Sequence, residues 1–258
     1  MSDFPMPNVS TDLTGQVALV TGTTSGLGRR FAQVLAHCGA KVVVTGRRVE
    51  RLEALADEIR AAGGEALPVR VDMTDRASIR AMVAEAEKVF GTITILVNNA
   101  GIPDAQRAHK MDDELVDNVF NTNLIGPWVL SVEVAKRLIA EKKPGRIVNI
   151  ASVAAFNYSG QGAALYSVTK SAVVRMTEAL AVEWSRNLIN VNAIAPGAFS
   201  SEMMDGMLER VGDITAHFPR KRLGDPAQLD STLLYLVSPA SEVVTGTCIT
   251  VDDGQGSR

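Results

Sequence analysis

Cysteine is nearly missing: Cys38 and Cys248 are the only two in 258 residues. Two thiols cannot staple a small secreted scaffold, and this pair lacks the spacing of a zinc site. They read as free thiols in a reducing compartment. Histidine is as scarce, and His37, His109 and His217 are scattered without ligand spacing, so no metal centre is expected. Neither sign of charge dominates. Lys plus Arg number 26 against 29 Asp plus Glu, a net charge of −3. That balance argues against a broad phosphate-backbone footprint, and no nucleic-acid partner is expected. The opening residues MSDFPMPNVSTD have no basic stretch and do not read as a signal peptide. The longest charge-free run, 147–169, is long enough to span a bilayer. It holds Asn149, Ser152, Asn157, Ser159, Gln161 and Ser167, which hydrocarbon tolerates poorly. A cytoplasmic protein without a membrane partner is expected, and a run so rich in hydroxyls and amides suggests a lined pocket.

What is present is ordinary globular material, 46% apolar and 21% charged. Residues 1–13 read as a tail and 14–258 as one domain. Short, β-branched segments at 17–20, 41–45, 66–71, 93–97, 146–150, 189–195 and 248–251 are apolar on both faces, the mark of parallel strands buried on both sides. Between them runs helical periodicity: Leu27, Phe31, Val34 and Leu35, then Leu52, Leu55, Ala56 and Ile59, then Ile79, Met82, Val83 and Ala86. Gly63-Gly64 and Gly91 stand where helix C-caps belong. Two longer helices are expected at about 112–141 and 164–185. This alternation predicts an α/β fold: a single Rossmann-type doubly wound domain with a seven-stranded parallel sheet. Ligands bind such sheets at the carboxyl ends of the strands.

The first of those ends carries Thr21-Gly22-Thr23-Thr24-Ser25-Gly26-Leu27-Gly28. Gly22 permits a tight turn, Gly26 removes a Cβ where a cofactor would approach, and Gly28 permits close packing of helix on strand. The helix that follows offers free N–H groups to a diphosphate.

TGTTSGLG resembles the TGxxxGxG fingerprint of the short-chain dehydrogenase/reductase family. Asn98-Asn99-Ala100-Gly101 is similar to its NNAG motif, Tyr166 to Lys170 to its YxxxK, and Pro196-Gly197 to its PG. The likeness runs from about residue 13 to 252. It implies that Gly22, Thr24, Ser25, Gly26, Leu27 and Gly28 border a nicotinamide cofactor, together with Asn98, Ala100, Gly101, Tyr166, Lys170, Pro196 and Gly197. Asp72 and Met73 then border the adenine, Phe199 offers its backbone to the nicotinamide amide, and Ser201 replaces a family threonine at the cofactor. Strand two ends Gly46-Arg47-Arg48. Gly46 stands where an acid would read the ribose of NAD, and Arg47 suits the 2′-phosphate of NADP. NADP is therefore the expected cofactor, with NAD the alternative.

The catalytic set implied is Asn123, Ser152, Tyr166 and Lys170. Tyr166 and Lys170 are four apart and share a helix face. Tyr166 is the acid/base, Lys170 together with the oxidised nicotinamide lowers its pKa and also holds the ribose, Ser152 polarises the carbonyl, and Asn123 holds a water in the relay to lysine. Thirteen residues between Ser152 and Tyr166 make a long loop. The expected reaction is NADP(H)-dependent interconversion of a ketone or aldehyde and an alcohol, with a small uncharged apolar substrate. The alternative is a 3-oxoacyl thioester reductase acting on acyl carrier protein or CoA substrates. An enoyl reductase would put six residues between Tyr and Lys instead of three, and a non-catalytic NADP sensor would lack part of the set. A lid at 198–223, with Phe199, Met203, Met204, Met207, Leu208 and Phe218, and a wall with Phe156 and Tyr158 favour the apolar substrate. Arg210, Arg220, Lys221 and Arg222 could instead grip an anion at the rim. A homotetramer is expected, with Trp128, Val132, Val173, Val174 and Met176 as the surplus apolar residues of the long helices.

Overall fold

The computed structural model describes residues 4–158, 160 and 162–256. Ser159 and Gln161 of the charge-free run, like residues 1–3 of the tail, lie outside the described residues. Seven strands form one sheet: β1 (Val17–Thr21), β2 (Lys41–Gly46), β3 (Glu65–Arg70), β4 (Ile95–Asn98), β5 (Gly145–Ile150), β6 (Ile189–Pro196) and β7 (Cys248–Val251). All pair in parallel, in the order β3-β2-β1-β4-β5-β6-β7. The period-two geometry of a strand splits the apolar residues between two faces. Val17, Leu19, Val43, Leu96, Ile147 and Val191 point to one face, against α3 (Arg76–Phe90), α5 (Gly126–Glu141) and α6 (Ala164–Glu183). Ala18, Val20, Val42, Val44, Val97 and Val148 point to the other, against α1 (Gly26–His37), α2 (Val49–Ala61) and α8 (Asp230–Val237). Both faces are covered, which is why the strands read as continuous apolar runs.

Glycine closes the helices where the sequence places it. Gly63 (φ +89°) follows α2, and Gly91 (φ +83°) caps α3, donating to the Glu87 carbonyl at 2.9 Å. The long helix expected at 112–141 is interrupted. It runs as α4 (Asp113–Phe120), a π-turn (Asn121–Ile125) and α5. Pro127 lies at the start of α5 and brings no N–H, and the ladder slips to wider bonding just before it. Two helices were not anticipated: α7 (Glu202–Val211) inside the lid segment, and α8. Among the described residues no helix is long and apolar enough to cross a membrane.

The chain builds β1, β2 and β3 outward, then returns to place β4 on the other side of β1. The crevice at the carboxyl ends of β1 and β4 is therefore the topological switch point, where such sheets bind ligands.

Candidate active site

The turn after β1 is pinned by the loop after β4. Thr21 Oγ1 accepts from the main-chain N–H groups of Asn99 and Ala100, both at 3.0 Å. Asn99 Nδ2 donates back to the carbonyls of Thr21 (2.9 Å) and Gly22 (3.2 Å). Side chains cannot be added here. A Cβ on Gly22, already at φ +71°, would stand 2.9 Å from Ala100 Cα, and one on Gly28 would stand 2.3 Å from Asn99 Nδ2. Asn99 is thus the residue that holds the turn's shape, a part the sequence reading did not give it. The space opposite Gly26 is taken by protein: a Cβ there would meet the Ser201 Cβ at 3.0 Å, so Gly26 lets the start of α7 approach. Helix α1 has neither a capping side chain nor an acid in its first turn, leaving its N–H groups and dipole to an anion. These residues fit a diphosphate.

At the end of β2 the two arginines differ. Arg48 donates to Thr24 Oγ1 (2.6 Å) and Ser25 Oγ (3.4 Å) and pairs with Glu202 of α7 at 3.0 Å. Arg51 also pairs with Glu202, and the two guanidinium groups hold that carboxyl down at about 2. Arg47 makes no ion pair among the described residues. Asp72 is held below the usual carboxylate range by Thr74, whose N–H and hydroxyl both donate to it, and secondarily by the Arg47 charge. Leu27 and Thr24 stay half-buried in the turn.

Four expected cofactor residues pack closely against other parts of the chain. The Asn98 side chain runs into the core, donating to Ser131 Oγ (3.0 Å) and Asn149 Oδ1 (2.8 Å), because β4 buries that face. Met73 is buried against Gly126 and the core. Gly197 packs on the segment after β7, where a Cβ would meet Gln255 Oε1 at 2.4 Å. The Phe199 ring is buried on Gly224 in the core under α8, so it lines no lid. Pro196 ends β6 beside them.

The expected catalytic side chains do come together. Ser152 follows β5, and its Oγ accepts from the Ala154 N–H at 3.1 Å, capping a short turn. The Tyr166 phenol lies close enough to the Ser152 hydroxyl for that group to bear on its pKa. Lys170, one turn on, is 4% exposed; its Nζ donates to the Ile150 carbonyl at 2.7 Å and lies 5.5 Å from the Tyr166 ring centre. The Asn123 carboxamide is spent elsewhere. Its Oδ1 accepts from the Ile102 N–H (2.8 Å), and its Nδ2 donates to the Ile102 carbonyl (2.9 Å) and Thr169 Oγ1 (3.3 Å). Any relay through Asn123 therefore falls to its main chain, inside the π-turn. Gly101 sits between the two: a Cβ on it would stand 3.4 Å from Asn123 Oδ1 and 3.5 Å from Lys170 Nζ.

Burial pushes the Tyr166 phenol up; the Ser152 hydroxyl lowers it and the Asp104 carboxylate raises it further. Burial also pulls the Lys170 ammonium down, to about 8. Helix α7, tied to the end of β2 through Glu202, buries none of its residues. Phe156 and Tyr158 are exposed. Arg220 and Arg222 at the rim both pair with Asp253 at 2.8 Å.

Comparison with known proteins gives the same architecture. The sequence model of the short chain dehydrogenase family matches residues 16–211. The chain is 38% identical over 241 residues to subunit BbsD of a hydroxy(phenyl)methyl-succinyl-CoA dehydrogenase of Thauera aromatica, covering 93% of this chain and 96% of the relative. A short-chain type dehydrogenase/reductase from Mycobacterium marinum superposes with a TM-score of 0.92 at 33% identity, over 96% of this chain and 98% of that one. A variant of actinorhodin polyketide ketoreductase, solved with NADPH, does so with a TM-score of 0.90 at 36% identity, over 94% and 98%.

Proposed function

The chain belongs to the short-chain dehydrogenase/reductase family, and on that premise we propose that it reversibly reduces an uncharged, largely apolar ketone or aldehyde to an alcohol with NADP(H). One observation carries the proposal: the Ser152 hydroxyl, the Tyr166 phenol and the Lys170 ammonium meet at the carboxyl end of β5, the phenol beside Ser152 and the ammonium 5.5 Å from its ring. The cofactor, when bound, supplies the hydride that reaches the carbonyl carbon. Ser152 and Tyr166 hold the carbonyl oxygen, and Tyr166 donates its proton as charge grows there. Lys170 places its cation beside the phenol and within reach of a ribose. Alcohol oxidation runs the same transfers backwards, with Tyr166 as base.

Arg47 supports the NADP reading. Its fork is free of ion pairs among the described residues, whereas Arg48 is tied to Glu202, and Gly46 offers no acid for a 2′-hydroxyl. Replacing Arg47 by Ala is expected to weaken NADPH binding at least about tenfold, the scale of one lost charge-assisted bond, and to leave NADH nearly unchanged. Equal weakening of both in a calorimetric titration would remove the assignment.

The pairing of Arg220 and Arg222 with Asp253 favours an uncharged substrate over an anionic one. The likeness to an acyl-CoA dehydrogenase subunit keeps the thioester reading in the test. An aryl ketone, an alicyclic ketone and an acetoacetyl thioester, each assayed with NADPH and NADH for kcat/KM, decide between them. A clear preference for the thioester would replace the proposal.

The same reading carries a homo-oligomer, although the residues that suggest it change. Val173 and Met176 are buried in the core, and Val132 and Val174 pack onto it. Trp128 (46% exposed), Val168 (56%) and Val182 (78%) remain open on α5 and α6. A tetramer is expected by light scattering at micromolar concentration, and a monomeric mass would refute it.

A further inference from the structure

Helix α6 begins without a cap of its own. The N-cap position is Ala163, whose side chain cannot accept a hydrogen bond, and the first turn holds no acid. A carboxylate from elsewhere fills the place. Asp104, 61 residues upstream of Leu165, accepts on Oδ2 from the Leu165 N–H at 2.9 Å and from the Tyr166 N–H at 3.1 Å. Its Oδ1 accepts from the Ala105 N–H at 2.8 Å. Asp104 is 3% exposed. A buried carboxylate is costly unless its bonds are met, and here they are met by the backbone of the proposed acid/base residue itself.

The loop that carries Asp104 is fastened at two more places. Asn99 grips the glycine turn after β1, and the Asn123 amide grips both main-chain groups of Ile102. The glycine turn, the π-turn and the start of α6 are thus joined through 98–105.

We propose that Asp104 is a positioning residue: a remote cap that fixes the main chain of Tyr166 to the loop after β4, and hence to the cofactor side of the site. This rests on the reading of Tyr166 as the acid/base. The carboxylate also acts through its charge. The charged groups bearing on the phenol are Lys170 from its own helix and Asp104 from the β4 loop. Ser152, from the loop after β5, is neutral, the π-turn contributes only neutral Asn123, and the acids of α4 (Asp113, Glu114 and Asp117) are exposed. Removing the Asp104 charge eases loss of the phenolic proton, so the Tyr166 pKa falls.

Asp104→Asn keeps a capping oxygen and removes the charge; Asp104→Ala removes both. Carbon-13 labelling at tyrosine Cζ gives one resonance for each of three tyrosines, and Tyr166→Phe identifies the one that matters. In Asp104→Asn the Tyr166 resonance is expected to titrate about half a pH unit or more below wild type, the scale of one charge at partly screened range. Alcohol oxidation should rise at correspondingly lower pH. Asp104→Ala is expected to lose kcat roughly tenfold or more, and Asp104→Asn less, since one keeps the cap and the other does not. A purely structural residue would lower stability and leave the Tyr166 titration where it was. An unmoved resonance in the Asn variant overturns the proposal even if the Ala variant does not fold. Should Tyr166→Phe prove fully active, the functional reading fails instead, and the titration still reports whether Asp104 governs Tyr166.

Discussion

Replacing Tyr166 by Phe is expected to lower kcat by about 10²–10⁴-fold, the usual worth of a positioned acid or base. The ring stays, so its packing beside Lys170 stays. What goes is the hydroxyl beside Ser152, the proposed proton donor for reduction. The residues proposed to hold the cofactor lie on the turn after β1 and the end of β2, so NADPH binding should change little. The loss should fall on kcat and kcat/KM alike, as for a group used only in the transition state. The pH dependence follows from burial, which raises the phenol above its ordinary value. Reduction needs the protonated phenol and should hold across neutral pH. Oxidation needs the phenolate and should climb into the alkaline range. Steady-state kinetics in both directions, with cofactor affinity by fluorescence, measure all of this. Near wild-type turnover in the Phe variant, under conditions where chemistry limits the rate, would remove Tyr166 from its role.

Replacing Lys170 by Met should abolish most activity and make the protein more stable, a combination few substitutions give. Lys170 is 4% exposed, and its hydrogen-bond acceptor among the described residues is a single carbonyl. Burial draws its ammonium from 10.5 down to about 8. A depressed lysine means that the folded state disfavours the charge. The penalty is in full force below about pH 8 and is relieved as the pH rises from there to 10.5. A shift of that size corresponds to about 3 kcal/mol as an upper figure, and the unmet Ile150 carbonyl takes back about 1 kcal/mol or more. Methionine fills similar volume without charge. The melting temperature should therefore rise by roughly 2–6 °C at neutral pH, with the gain shrinking toward pH 10.5. Turnover should fall by at least about a hundredfold, because the cation beside Tyr166 is lost. Calorimetry at pH 7 and pH 10 tests the stability half; a variant less stable than wild type at pH 7 would show that the ammonium is well compensated in place. Sites tuned for chemistry are often strained in this way.

The sequence by itself determined the sheet and its helices, because both depend on local pattern. Strands buried on two faces must be apolar throughout, so all seven were legible, with ends off by a residue or two. Helices with one wet face show their stripe in the same way, as α1, α2 and α3 do. Tyr166 and Lys170 were legible as a pair through their resemblance to the family's YxxxK motif, whose helical spacing puts them on one face, and the same resemblance tied Ser152 to them. Helices α7 and α8 escaped: α7 buries none of its residues and so carries no core stripe.

Only the tertiary structure decided where side chains point once several elements meet. The motif asparagine Asn98 turned into the core while its neighbour Asn99 took the glycine turn, since adjacent residues at the end of a strand face opposite ways. Pairing of Glu202 with Arg48 and Arg51, across about 150 residues of sequence, left Arg47 without an ion pair at the end of β2 among the described residues. Asp104 gave no signal at all, because a carboxylate capping a helix 61 residues away obeys no spacing rule. The net effect on Tyr166 was beyond the sequence for the same reason. Burial and the position of one distant charge set the balance at the phenol, and both exist only once the β4 loop, the π-turn and α6 are packed together.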